Sequence, residues 1–141
     1  MPFATEFTIQ MQDQAGALGG VCRALADRDV NIIGFQSNPE SQGRSLVHIV
    51  TDNRTATKAV LENGRLNFTE TEVAQVKLPN RVGALAKATS RLADAGINID
   101  YGYCGIEPTT NTPLLFLGVA EVGKAMKILD QAAKAVGAGV T

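Results

Sequence analysis

A segment beginning Asp13-Gln14-Ala15-Gly16-Ala17-Leu18 returns 67 residues later as Asn80-Arg81-Val82-Gly83-Ala84-Leu85. At that shift Gly16 meets Gly83, Ala17 meets Ala84, and Leu18 meets Leu85. Leu25, Ala26, Asp27, Asn31 and Ile32 coincide with Leu92, Ala93, Asp94, Asn98 and Ile99, so that about eight of twenty positions are identical. A repeat at this spacing divides a chain of 141 residues into two equivalent units, 1–72 and 73–141. Units that small bury only about 60% of their unfolded surface. Each is therefore expected to share an interface or to extend a neighbouring sheet.

Hydrophobic periodicity assigns the same elements to both copies. Phe7, Ile9 and Met11 alternate with polar residues, the pattern of a half-buried strand. Leu18, Val21, Cys22, Leu25 and Ala26 then form a helical stripe, and 85, 88, 89, 92 and 93 repeat it. Strands are predicted over 30–36 and 46–50, a helix over 54–63, and strands over 66–72 and 73–78. Asp52 or Asn53 is expected to cap that helix, with Gly64 just past its end. The second copy continues with a strand over 97–105, a turn at 107–113, a strand over 114–119 and a helix from Val122 to Val136.

Each unit thus reads βαββαβ, which right-handed crossovers close into a ferredoxin-like α+β unit. Such a unit has a four-stranded antiparallel sheet with two helices on one face. Only Gly137-Ala138-Gly139-Val140-Thr141 follows the last helix. The final strand of the second unit is accordingly expected to be short or missing.

Composition removes several function classes. A net charge of −1 and an aromatic content of 5% leave no basic footprint and few stacking residues for nucleic acid. No apolar run approaches the ~20 residues of a membrane span. The opening Met-Pro-Phe-Ala-Thr-Glu has neither a basic nor an apolar leader segment, so no secretory signal is expected. Two cysteines without CxxC spacing suit a reducing, cytoplasmic setting. No nucleophile–base–acid set, zinc spacing or phosphate-binding glycine loop is present. The chain reads as non-enzymatic, with no catalytic residue, metal or cofactor expected.

The informative places are the two strand-to-helix loops. The first N–H groups of a helix lack internal partners and sit at the positive end of its dipole. Gly16 and Gly83 let a ligand or another backbone approach closely. Asn31 and Asn98, at the start of the next strand, offer a donor and an acceptor each. A purely structural role is the competing explanation. Asp13 and Asn80 would then cap helices, and the asparagines would organise turns.

The pattern Asp/Asn-x-x-Gly-x-Leu, a helix of about a dozen residues, then Val/Ile-Asn-Ile resembles the ACT domain, a small regulatory module of amino-acid metabolism. Asn80-Arg81-Val82-Gly83-Ala84-Leu85 and Gly96-Ile97-Asn98-Ile99 match it especially well. The resemblance covers nearly the whole chain as two tandem copies, leaving nothing over for a catalytic domain. It implies an amino-acid or related effector bound where two ACT domains meet. Carried over by position, the contacts are Asp13, Ala15, Gly16, Ala17 and Asn31 in the first copy. In the second they are Asn80, Val82, Gly83, Ala84 and Asn98, while Arg81 in the same loop either pairs with the side-chain carboxylate of an acidic effector or faces solvent. The family often has proline before the glycine, where this chain has Ala15 and Val82. Asp13 repels a carboxylate that Asn80 accepts, so the second site is the better carboxylate site.

The expected function is a small-molecule-binding regulatory protein acting in trans on an enzyme or regulator, assembled as a homodimer. A protein–protein interaction module without a ligand, and a small enzyme with an inter-subunit site, are the rivals. His48 on an apolar strand reads as packing, as does Cys22. Cys104 is expected near the surface, and Tyr101 and Tyr103 as cover for a sheet face.

Overall fold

The computed structural model describes residues 3–138. In chain order these form β1 (Ala4–Gln12), α1 (Ala17–Asp27), β2 (Ile32–Pro39), β3 (Arg44–Thr51) and α2 (Arg54–Asn63). They continue as β4 (Asn67–Lys77), α3 (Ala84–Asp94), β5 (Tyr101–Ile106), β6 (Pro113–Gly118) and α4 (Val122–Ala138). Two compact units result. One is Thr5–Thr71, and the other runs from Glu72 onward and includes the residues before Thr5. The described residues are α+β with six strands, where the periodicity assigns seven. The strands expected over 66–72 and 73–78 are one strand, β4, because Thr69-Glu70-Thr71-Glu72-Val73 contains no glycine or proline to turn the chain.

In the first unit β3 lies between β1 and β2, antiparallel to both, with Ile49 opposite Phe7 on one side and Phe35 on the other. Phe7, Ile9, Val47 and Ile49 project from one sheet face onto Val21 and Leu25 of α1 and Val60 and Leu61 of α2. The period-2 strands present one apolar face, and both helices lay their 3.6-period apolar stripes on it. The first half of β4 lies beside β1. Phe68 packs on this core with its ring centroid 6.0 Å from that of Phe7, and Asn67 Nδ2 donates to Gln10 Oε1 at 2.9 Å.

The second unit repeats the plan around its own core. β6 lies between β4 and β5, with Leu117 opposite Ala74 and Gly102. Ala74, Val76, Leu115 and Leu117 meet Ala88 and Leu92 of α3 and Ala125 and Leu129 of α4. Tyr103 is buried against Phe116, with ring centroids 5.4 Å apart. The Tyr101 ring covers the backbone of Gly118, its cross-strand partner. Both tyrosines therefore serve packing. The helix α4 continues through Ala138, and the rest of the segment where a final strand is expected, 139–141, lies outside the described residues. No described helix is long and apolar enough to cross a membrane.

The helix ends carry the duplication down to single hydrogen bonds. Val30 N–H donates to Leu25 O at 3.0 Å and Ile97 N–H to Leu92 O at 2.9 Å. Asp29 N–H donates to Ala26 O and Gly96 N–H to Ala93 O, both at 2.9 Å. This closure needs a left-handed residue, supplied by Gly96 at φ 73 but by Asp29 at φ 58 in the first copy. Asn53 caps α2 as expected, accepting from Ala56 N–H at 3.0 Å. At its other end the expected role of Gly64 shifts by one residue: Gly64 is right-handed at φ −77, and Arg65 takes φ 54. Asp29→Gly and Arg65→Gly are each expected to stabilise the protein by about 0.5–1 kcal/mol. That is the left-handed strain relieved, less the extra freedom of glycine in the unfolded chain. Urea denaturation midpoints check it, and a fall at either position would contradict it.

Candidate functional site

Both strand-to-helix loops adopt one geometry. Gly16 and Gly83 occupy the N-cap positions of α1 and α3 in left-handed conformations, φ 89 and φ 87, and neither helix has a side-chain cap. Capping by Asp13 or Asn80 is thereby excluded. Gln14 N–H donates to Gln12 O and Arg81 N–H to Pro79 O. Ala17 N–H donates to Gln14 O, and Ala84 N–H to Arg81 O at the same 3.3 Å. The amides of Ala17 and Ala84 are thus used internally. Those of Ala15, Gly16, Val82 and Gly83 have no backbone acceptor among the described residues.

The two copies differ in what surrounds the loop. Asp13 N–H donates to Gly43 O at 2.8 Å, tying the first loop to the β2–β3 turn. Asn31 is held through its backbone, its N–H donating to Asp52 Oδ1 at 2.9 Å and its carbonyl accepting from Asp52 N–H at 3.1 Å. In the second unit a pocket of about 170 Å³ lies between the loop, the first turn of α3 and the β5–β6 hairpin. Leu78, Pro79, Ala84, Leu114 and Leu115 give it apolar walls, and Asn80, Arg81, Leu85, Cys104 and Pro113 complete it.

Of the sequence-expected residues, the pocket brings together Asn80, Arg81 and Ala84. Val82 points to solvent at 103% relative exposure, and Gly83 is not among the lining residues. Asn98 does not begin a strand. The strand expected from Ile97 starts at Tyr101, and Asn98 Nδ2 donates instead to Asp100 Oδ1 at 3.0 Å. Leu85, read as part of the buried stripe, is 51% exposed at the pocket, while Ala84 is buried in its place. The first turn of α3 has only the short side chain of Ala84 facing the core, which leaves the leucine beside the cavity. No hydrogen bond or ion pair engages the side chains of Asn80 and Arg81 among the described residues.

The far wall is stiffened by a carboxylate. Glu107 accepts from Thr109 N–H at 3.1 Å, Thr110 N–H at 2.7 Å and the Thr110 hydroxyl at 2.6 Å. Lys77 Nζ stands 3.9 Å away. The Thr110 hydroxyl first, then the two amides, hold its carboxyl down to about 2. A carboxyl lowered in the folded state stabilises fully above its unfolded value near 4.5 and loses that contribution as pH falls toward 2. Amide exchange at Thr109 and Thr110 is expected to accelerate, beyond the intrinsic pH effect, across that acid window. Glu107→Gln should remove the step, and an identical profile in that variant would refute the assignment.

Sequence reasoning missed one buried polar group. Glu6 is 0% exposed and His48 8% exposed, with His48 Nδ1 3.1 Å from Glu6 Oε1. The Thr8 hydroxyl lies 3.2 Å from the same oxygen and 3.0 Å from Nδ1. The available signal was strand register: Thr8 faces His48 across β1 and β3, and Glu6 shares the Thr8 side of β1. Cys22 is partly buried and Cys104 exposed, both as free thiols. No cluster of three metal-ligating side chains exists among the described residues.

Taken together, the folding plan and the twin glycine loops define a duplicated α+β module. The ACT-domain family model matches residues 5–62, within the first unit, and the second unit repeats that unit's element order and loop geometry. No curated protein matches the chain. Among solved structures, a protein from Bacteroides thetaiotaomicron superposes with TM-score 0.80 at 20% identity, over 92% of this chain and 88% of that one. The regulatory subunit of aspartate kinase from Thermus thermophilus superposes with TM-score 0.62 at 17% identity, over 92% and 91%. That from Thermus flavus gives 0.62 at 20% identity, over 92% of each chain. At these identities the likeness is one of fold.

Proposed function

We propose that this protein is a small-molecule-binding regulatory module that takes an amino acid or related metabolite at the loop of its second unit and acts in trans on an enzyme or regulator. The observation that carries the reading is the pocket beside α3, with the uncommitted side chains of Asn80 and Arg81 at its edge. An arginine offers a planar pair of donors to a carboxylate, and the start of a helix favours negative charge. The aspartate kinase regulatory subunits of the same fold support a regulatory role. Regulation then requires that the ligand bind one packing of the protein better than another, since it shifts the equilibrium only by that difference. A homodimer in the cytoplasm is the setting proposed, in keeping with two free thiols.

A thermal-shift screen of the full chain against the standard amino acids tests it. A ligand specific to the native state at 100 times its Kd adds about 2.7 kcal/mol, a rise of several degrees in Tm. Silence across the panel overturns the amino-acid reading. It would favour a protein-docking module instead, for which the exposed apolar Val82, Leu85 and Ile106 give a specific basis.

A further inference from the structure

The pocket in the second unit also selects the chemistry of its ligand, an inference that rests on the function just proposed. We infer that it takes a short aliphatic carboxylate and does not require an α-amino group. Its walls are hydrocarbon from Leu78, Pro79, Ala84, Leu114 and Leu115, and its described lining contains one cation, Arg81, and no carboxylate. A tail seated on these walls leaves its carboxylate beside Arg81 and the Asn80 carboxamide, the only long polar side chains of the lining.

An ammonium at the same place meets no anionic side chain among the lining residues. It would stand near a guanidinium of like charge. The hairpin's own acid, Glu107, is occupied by two amides, a hydroxyl and Lys77. The amino group of a bound amino acid therefore stays in water at the mouth and adds little. Size agrees with this. The pocket's volume of about 170 Å³ is many times the ~10–15 Å³ that one water needs. That is enough for a branched aliphatic tail, with the head group at the opening.

Isothermal titration of the full chain with leucine, its α-keto analogue, leucinamide and aspartate tests the inference. Leucine and the keto acid are expected to bind within about threefold of each other, and leucinamide at least about tenfold more weakly. Arg81→Ala should weaken both acids about 10–100-fold, the loss of a charge-assisted pair, with partial recovery in Arg81→Lys. Cys104→Phe, an exposed position in the wall, should abolish binding while leaving the circular dichroism spectrum and Tm of the free protein unchanged. If leucine binds and its keto analogue does not, the amino group is recognised and the inference falls, though the amino-acid reading stands. Binding of aspartate in preference to leucine, or an unchanged affinity in Arg81→Ala, also overturns it. Binding of the keto acid alone upholds the inference and removes leucine and aspartate as the effector. Absence of binding by every member of the panel overturns the inference, while the amino-acid reading is decided by the wider thermal-shift screen.

Discussion

Leu25→Ala and Leu92→Ala are each expected to destabilise the protein by about 2–5 kcal/mol, and by similar amounts. Both leucines are 0% exposed, and they hold equivalent places near the ends of α1 and α3. Leu25 is buried among Phe7, Ile9 and Ile49, and Leu92 among Ile97, Leu117 and Leu129. Each also accepts, through its carbonyl, the N–H that closes its helix, from Val30 and Ile97 respectively. Alanine keeps that backbone bond and the helix propensity, so the loss reports the buried hydrocarbon removed together with the cavity left behind. Urea denaturation followed by circular dichroism measures it. Because the two leucines belong to separate cores, the paired variants also ask whether the units melt together. A shared transition shifts in both variants, whereas independent units lose one transition each. A loss below about 1 kcal/mol at either position would mean that its core collapses around the gap.

His48→Leu is expected to cost about 2–4 kcal/mol, although it places an apolar side chain in a buried site. The loss comes from Glu6, fully buried and deprived of a hydrogen-bond partner 3.1 Å away. Thr8 remains within 3.2 Å of the carboxylate and limits the damage. The double variant Glu6→Leu/His48→Leu should be less destabilised than the sum of the two singles, since it removes the buried acid together with its partner. Strict additivity in that cycle would show that the two side chains do not depend on one another. The pair is a cost of polar residues inside a sheet, and the cycle measures how far they offset each other.

Local signals made most of the architecture readable before any coordinates. The stripes at Leu18–Ala26 and Leu85–Ala93 predict α1 and α3, Asn53 marks the start of α2, and the 67-residue shift states that the plan occurs twice. Errors arose where a long-range partner decides the outcome. Nothing local distinguishes one strand through Glu72 from two strands meeting there, and only pairing with β6 at Ala74–Lys77 defines the second half of β4. Ile97–Asp100 has a strand's composition, but Asn98 and Asp100 bond to one another and β5 begins at Tyr101. The candidate site was legible in half. Asn80, Arg81 and Ala84 follow from the loop motif, whereas Cys104, Pro113, Leu114 and Leu115 reach the pocket through the β5–β6 pairing. Glu6 was invisible for a similar reason, since a lone acid on a strand signals burial only once His48 is known to lie opposite its neighbour.

The hairpin organised by Glu107 has a consequence for the speed and economy of recognition. Pro113, which follows that turn, forms part of the pocket wall, and its carbonyl receives the Leu78 N–H at 3.3 Å. One side of the cavity is thus preorganised before any visitor arrives. Ordering a loop on association usually subtracts from affinity, and a wall already fixed avoids that entropic loss. For the proposed ligand, that fixed wall adds a demand on shape to the demand on charge made by Arg81.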